Sequence, residues 1–158
     1  MSSPLTIRPG CECIIRSLGQ DKKVARRLAQ MGVLPDTRIK VIRLAPFGGT
    51  IEVSIDQGQY FALRADEVNA LDCEMVVMPL SDKTVKINQY YRVRSLFGGK
   101  TFQQKMEQQG IIPGIVIQPL ELNTSPILIE LIEKKKNLTL GLGQADKIII
   151  EVIDDPQK

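Results

Sequence analysis

The residues best equipped for chemistry are three thiols, Cys11, Cys13 and Cys73. Cys11 and Cys13 stand two apart on a predicted strand, so their side chains share a face. Cys73 falls on a later strand, which in a small β fold runs close to the first. Three converging thiolates could hold a soft or borderline transition-metal ion. The competing reading makes each an ordinary small, buried hydrophobe. Nothing else in the chain calls for a cofactor. Histidine is absent, which removes the commonest general base and the commonest transition-metal ligand. Carboxylates are plentiful, but Asp66-Glu67 and Asp154-Asp155 are neighbours in sequence, which says little about convergence on a site. Glu67, near a predicted helix start, is accounted for by the helix dipole. No P-loop, GxGxxG or GxSxG occurs, so neither a nucleotide site nor an activated nucleophile can be assigned. The chain reads as a non-enzyme.

Binding is the remaining chemistry. Lys22, Lys23, Arg26 and Arg27 form the densest basic cluster, on a predicted helix whose other side carries Val24, Leu28 and Met31. Such a face docks on an acidic partner surface or near anionic lipid headgroups, or is simply a solvated helix face. Phe47 sits in the loop 45–50 between Pro46 and two glycines, either as an exposed anchor or tucked back onto the fold. Lys134-Lys135-Lys136 reads as a solubilising hairpin tip or a phosphate contact. A net charge of +3 on 158 residues is too weak for a dedicated nucleic-acid binder. Aromatic residues make up only 4%, too few for the stacking platforms that single-stranded nucleic acid needs. The N-terminus lacks a basic region followed by an apolar run, and no apolar run is long enough to span a bilayer. With three cysteines, an odd number, a reduced cytoplasmic protein is expected.

The elements that must position these residues are written twice. Arg16-Ser17-Leu18 returns as Arg94-Ser95-Leu96, and Gly32-Val33-Leu34-Pro35 as Gly110-Ile111-Ile112-Pro113, both 78 residues later. Phe61-Ala62-Leu63 and Leu138-Thr139-Leu140 continue the series. Cys13 falls opposite Tyr91, which favours an inward-facing residue there. In the first copy Ile51, Val53 and Ile55 alternate with polar neighbours as a half-buried strand, and Ile127–Glu133 repeats it in the second. Gln57-Gly58-Gln59 reads as a hairpin turn into Tyr60–Leu63. Asp21 caps a helix that Gly32 stops; Thr101 and Gly110 are expected to do the same in the second copy. Pro35-Asp36 and Pro113-Gly114 read as tight turns whose second residue takes positive φ. A short helical turn is expected over 66–70 and a final strand over 73–77. Pro79 is expected to break strand pairing at the boundary. Many short strands in under 80 residues suggest a small closed barrel.

An ordered string across the first copy resembles the FeoA family, small cytosolic partner proteins of bacterial ferrous-iron uptake. It comprises Pro9-Gly10, Arg26-Arg27-Leu28, Met31-Gly32-Val33-Leu34-Pro35, Ala45-Pro46, Ile51–Ile55 and Phe61-Ala62-Leu63-Arg64, closed by Glu67. In the second copy Asn88, Gly141 and Gln144 replace Gly10, Arg64 and Glu67. The resemblance implies a mainly β chain of two tandem SH3-like small β-barrels, each with one short α-helix, over 1–77 and 80–154. It also implies a non-enzymatic role, docking on the cytoplasmic GTP-binding part of a membrane ferrous-iron (FeoB-like) transporter. Lys22, Lys23, Arg26, Arg27, Phe47 and Arg64 are then the candidate partner-binding residues. Two rival readings stand beside this one. A regulatory module akin to the SH3-like domain of metal-dependent repressors would lack the DNA-reading helix-turn-helix. A nucleic-acid-binding barrel would lack the aromatic platforms.

Overall fold

The computed structural model describes residues 7–45, 48–55 and 58–156. The chain divides into two compact units, 1–77 and 78–158. The first contains β1 (Glu12–Ser17), α1 (Lys22–Gln30), β2 (Arg38–Leu44), β3 (Thr50–Ile55), β4 (Gln59–Arg64), α2 (Ala65–Ala70) and β5 (Asp72–Pro79). The second repeats the order as β6 (Tyr91–Leu96), α3 (Lys100–Gln109), β7 (Val116–Glu121), β8 (Ile127–Leu131), β9 (Lys136–Leu140), α4 (Leu142–Ala145) and β10 (Ile148–Val152). Strands lie side by side as β4-β3-β2-β1-β5 in the first unit and β9-β8-β7-β6-β10 in the second. All these pairs are antiparallel. Each unit is thus the mainly β, SH3-like arrangement expected. Among the described residues the hydrogen-bonded ladder does not close on itself, unlike the closed barrel expected. The helical turn expected over 66–70 is α2, and with its counterpart α4 each unit has two helices rather than one.

Period-two alternation places the core. On β3 the side chains of Ile51, Val53 and Ile55 are buried while Glu52 and Ser54 are half-buried. The same face of the first unit collects Cys13, Ile15, Ile39, Val41 and Leu63, all at 0% exposure. Tyr91 takes the place of Cys13 in the second unit and is also buried. Burial pushes its phenol pKa up, while the phenolic oxygen accepts the Lys86 amide at 2.9 Å.

The turns recur atom for atom. The Val33 amide bonds the Leu28 carbonyl at 2.9 Å, and the Ile111 amide bonds that of Met106 at 2.8 Å. Both bonds close a helix C-terminus whose next residue is a left-handed glycine, Gly32 at φ 92° and Gly110 at φ 96°. Asp36 (φ 68°) and Gly114 (φ 98°) form the following turn, each amide donating at 2.7 Å to the first strand. Asn88 replaces Gly10, yet it keeps positive φ (63° against 90°) and the same bond back to the second strand. Asparagine tolerates that region, so this departure preserves the turn.

Asp21 caps α1 as expected, accepting the amides of Lys23 at 3.0 Å and Val24 at 3.3 Å. Thr101 is not the cap of α3. The cap is Gly99, two residues earlier, whose carbonyl accepts the Gln103 backbone amide, while the Gln103 side-chain Nε2 reaches back to the carbonyls of Leu96 and Gly98 and holds the entry. Pro79 does not interrupt β5, which runs to it; a proline lacking a donor is tolerated at a strand end. Gly58 has φ 91°, as the expected hairpin requires, whereas Gln57 lies outside the described residues.

Candidate functional site

The basic helix α1 is built by its cap and by one buried row. Leu28 is fully buried, with Val24 and Met31 half-buried beside it. Lys22, Lys23, Arg26 and Arg27 therefore face outward, and all four are exposed. They are not equivalent. Arg27 Nε stands 3.2 Å from Glu67 Oε2, whose side chain is only 3% exposed. Glu67 Oε1 accepts the Arg64 backbone amide at 2.8 Å, closing the N-terminus of α2. Glu67 Oε2 makes no well-formed hydrogen bond, so the Arg27 contact is an ion pair by distance rather than by aligned donation. Arg27 consequently ties α1 to α2, while the side chains of Lys22, Lys23, Arg26 and Arg64 have no ion-pair partner among the described residues. Glu67 does more than answer a helix dipole: it joins two helices, a role its sequence position did not reveal.

The second unit keeps the cap and drops the ion pair. Gln144 Oε1 accepts the Gly141 amide at 3.1 Å, copying the Glu67 bond with a neutral group. Lys105 occupies the place of Arg27. There α3 is held partly by Lys147, whose ammonium lies 5.1 Å from the centre of the Phe102 ring. Of the triple-lysine tip, Lys134 brings its ammonium over Gly110 at the C-terminus of α3, where the helix dipole favours a cation.

The thiols do not form the converging trio considered from sequence. Cys13 and Cys73 face each other from β1 and β5 with their Cα atoms 5.6 Å apart and their sulfurs in contact. Cys11 is buried on the same side of the strand. Among the described residues no group of three or more His, Cys, Asp or Glu side chains is placed to hold a metal ion. On the β1–β5 ladder Cys13 lies opposite Met75 and Cys73 opposite Ile15, so the two thiols meet on a diagonal. Phe47 lies outside the described residues. A groove of about 220 Å³ in the second unit, between Leu80–Val85 and the tip of the β7–β8 hairpin, contains none of the residues singled out from sequence.

Sequence reasoning also passed over a pair of exposed aliphatics. Leu34 is 47% exposed and Ile112 48%, at equivalent positions just before the two proline turns. The signal was present in the repeat itself, since Gly-Val-Leu-Pro and Gly-Ile-Ile-Pro each place two aliphatic residues where the turn needs only one in the core.

The FeoA domain model matches residues 5–75 and again 78–152. The solution structure of iron(II) transport protein A from Clostridium thermocellum is similar over 95% of this chain and 87% of its own, at 26% identity and a TM-score of 0.52. A crystal structure of an iron uptake regulatory protein (FeoA) matches 49% of this chain and 97% of its own, at 28% identity and a TM-score of 0.43. A manganese-dependent transcriptional repressor matches 48% of this chain over 37% of its own, at 23% identity and a TM-score of 0.44. No curated protein matches.

Proposed function

Because both halves of the chain belong to the FeoA domain family, we propose that it is a non-enzymatic partner protein of ferrous-iron uptake. It works in the cytoplasm as two FeoA-like domains, 1–77 and 80–154. The first domain docks, through the exposed face of α1, on the GTP-binding cytoplasmic part of a membrane ferrous-iron transporter. The observation that carries this reading is the charge of that face. Among the described residues the side chains of Lys22, Lys23, Arg26 and Arg64 make no ion pair, and an acidic partner surface would complement them. No helix among the described residues is long and apolar enough to cross a membrane.

Titration of the chain against the soluble GTP-binding domain of such a transporter is the test. Saturable binding with a Kd below about 50 μM is expected, and no binding at that concentration sinks the proposal. The cytoplasmic setting is checked separately, by alkylating thiols in intact cells and counting labels after denaturation. Three labelled cysteines are expected, since cytoplasmic reductants keep even close pairs as thiols. A single labelled cysteine would place the chain in an oxidising compartment.

A further inference from the structure

Leu34 is a large aliphatic residue that the first domain exposes just beyond the C-terminus of its basic helix. The residue before it, Val33, is buried and bonds the Leu28 carbonyl at 2.9 Å. The residues after it are fixed by the Thr37 amide on the Leu34 carbonyl at 3.2 Å and by the Asp36 amide on Ile15 at 2.7 Å. Little conformational freedom is left to lose on association, and a preorganised side chain contributes most to affinity. A single exposed aliphatic residue needs no explanation by itself. The second domain, however, has changed Gly10, Arg64 and Glu67 and lost the basic cluster, yet it keeps Ile112 at the same place and nearly the same exposure. Its flanking bonds, Ile111 to Met106 and Ile115 to Ile112, are also the same. The core does not explain this retention, because Val33 and Ile111 already fill it.

We infer that Leu34 is the apolar anchor of the docking surface, inserting into an apolar socket rimmed by acidic residues on the partner. The charge of the rim follows from Lys22, Lys23 and Arg26, which line the exposed side of α1 and run back from Leu34 over about one helix length, ~14 Å. An apolar centre with a polar border is the usual anatomy of a protein–protein interface. Ile112 has no such border, so it is the weaker of the two anchors.

The inference rests on the proposed transporter partner, and the experiment separates the two. Binding of the soluble GTP-binding domain is measured for the wild-type chain and for Leu34→Ser, Leu34→Met and Ile112→Ser, each with its melting temperature. Leu34→Ser is expected to weaken binding by about tenfold or more, while Leu34→Met stays within about twofold and both fold as wild type. Ile112→Ser is expected to change affinity by less than about threefold. Wild-type binding that Leu34→Ser leaves intact overturns the anchor but spares the partner. If Leu34→Ser fails to fold, equal loss of affinity in the folded Leu34→Met overturns it as well. Absence of wild-type binding removes both readings. Binding to anionic phospholipid vesicles, with the same dependence on Leu34 and none to the domain, overturns the inference in favour of a membrane surface.

Discussion

At the scale of single residues, the first domain depends on one glycine for space as well as for φ. Gly19 has φ 89°, and a Cβ built there would meet the Ala70 carbonyl oxygen at 2.5 Å. That oxygen is backbone at the end of α2, so it cannot swing aside as a flexible side chain would. Positive φ alone costs an L-residue about 1 kcal/mol, and the clash adds to it. Gly19→Ala is therefore expected to destabilise the chain by about 2–3 kcal/mol, a fall of several degrees in Tm. Gly58→Ala supplies the control, because its φ is 91° but no atom of the described residues lies within 4 Å of the added carbon. It should cost only the backbone part, about 1 kcal/mol. Equal melting temperatures for the two variants would show that α2 yields. Phe97 stands opposite Gly19 in the repeat and is 45% exposed, so this tight approach belongs to the first domain.

At the scale of elements, an ion pair ties α1 to α2 in the first domain, whereas in the second the Phe102 ring of α3 meets the cation of Lys147, which lies between α4 and β10. The ion pair depends on Glu67, which caps α2 with one oxygen and meets Arg27 with the other. Glu67→Ala removes both contacts and leaves the Arg64 amide without its acceptor, with an expected cost of about 2 kcal/mol. Glu67→Gln keeps the cap, as Gln144 does, and is expected to cost about 1 kcal/mol less than the alanine variant. Adding Arg27→Lys to Glu67→Gln reproduces the residues of the second domain and should cost little more, which denaturant titration can resolve. If alanine and glutamine prove equally costly, the ion pair and not the cap holds α2. Little of this arrangement was legible beforehand. Asp21, Gly32 and Asp36 announced their roles because a cap, a helix stop and a turn are decided within a few residues. Arg27 and Glu67 are forty residues apart, and no periodicity links them. The Gly99 cap was missed for a related reason: it is set by a reach-back from Gln103, while Thr101 has the better capping side chain. Likewise, the pairing of Cys13 with Cys73 depends on the register of β1 against β5, which residue spacing does not encode.

At the scale of the whole molecule, the duplication was legible because matched glycines and prolines keep their offset even where surfaces diverge. What it did not disclose is how locally the charge is placed. Residues 1–77 carry ten basic and nine acidic side chains, and residues 78–158 carry eleven and nine. Neither half attracts an acidic partner from a distance by net charge. Much of the balance is internal, since Arg16 pairs with Glu74 and Asp36, Arg38 with Glu12, Arg43 with Glu52, and Arg94 with Glu151. The cations of α1 that make no such pair among the described residues, Lys22, Lys23 and Arg26, are then the source of any electrostatic steering. Fields from exposed charges decay over about 10 Å at 0.1 M salt, so steering should weaken as salt rises. Between about 50 and 500 mM salt, the association rate with the transporter's GTP-binding domain is expected to fall by about tenfold. Replacing Lys22, Lys23 and Arg26 together by glutamine should lower the rate at low salt and flatten that dependence to about twofold or less. The dissociation rate should change less than the association rate, because these charges border the contact rather than fill it. Stopped-flow measurements on the two proteins separate the rates. A salt dependence that survives the triple substitution would shift the steering to the paired arginines of the sheet and would remove α1 from the docking surface.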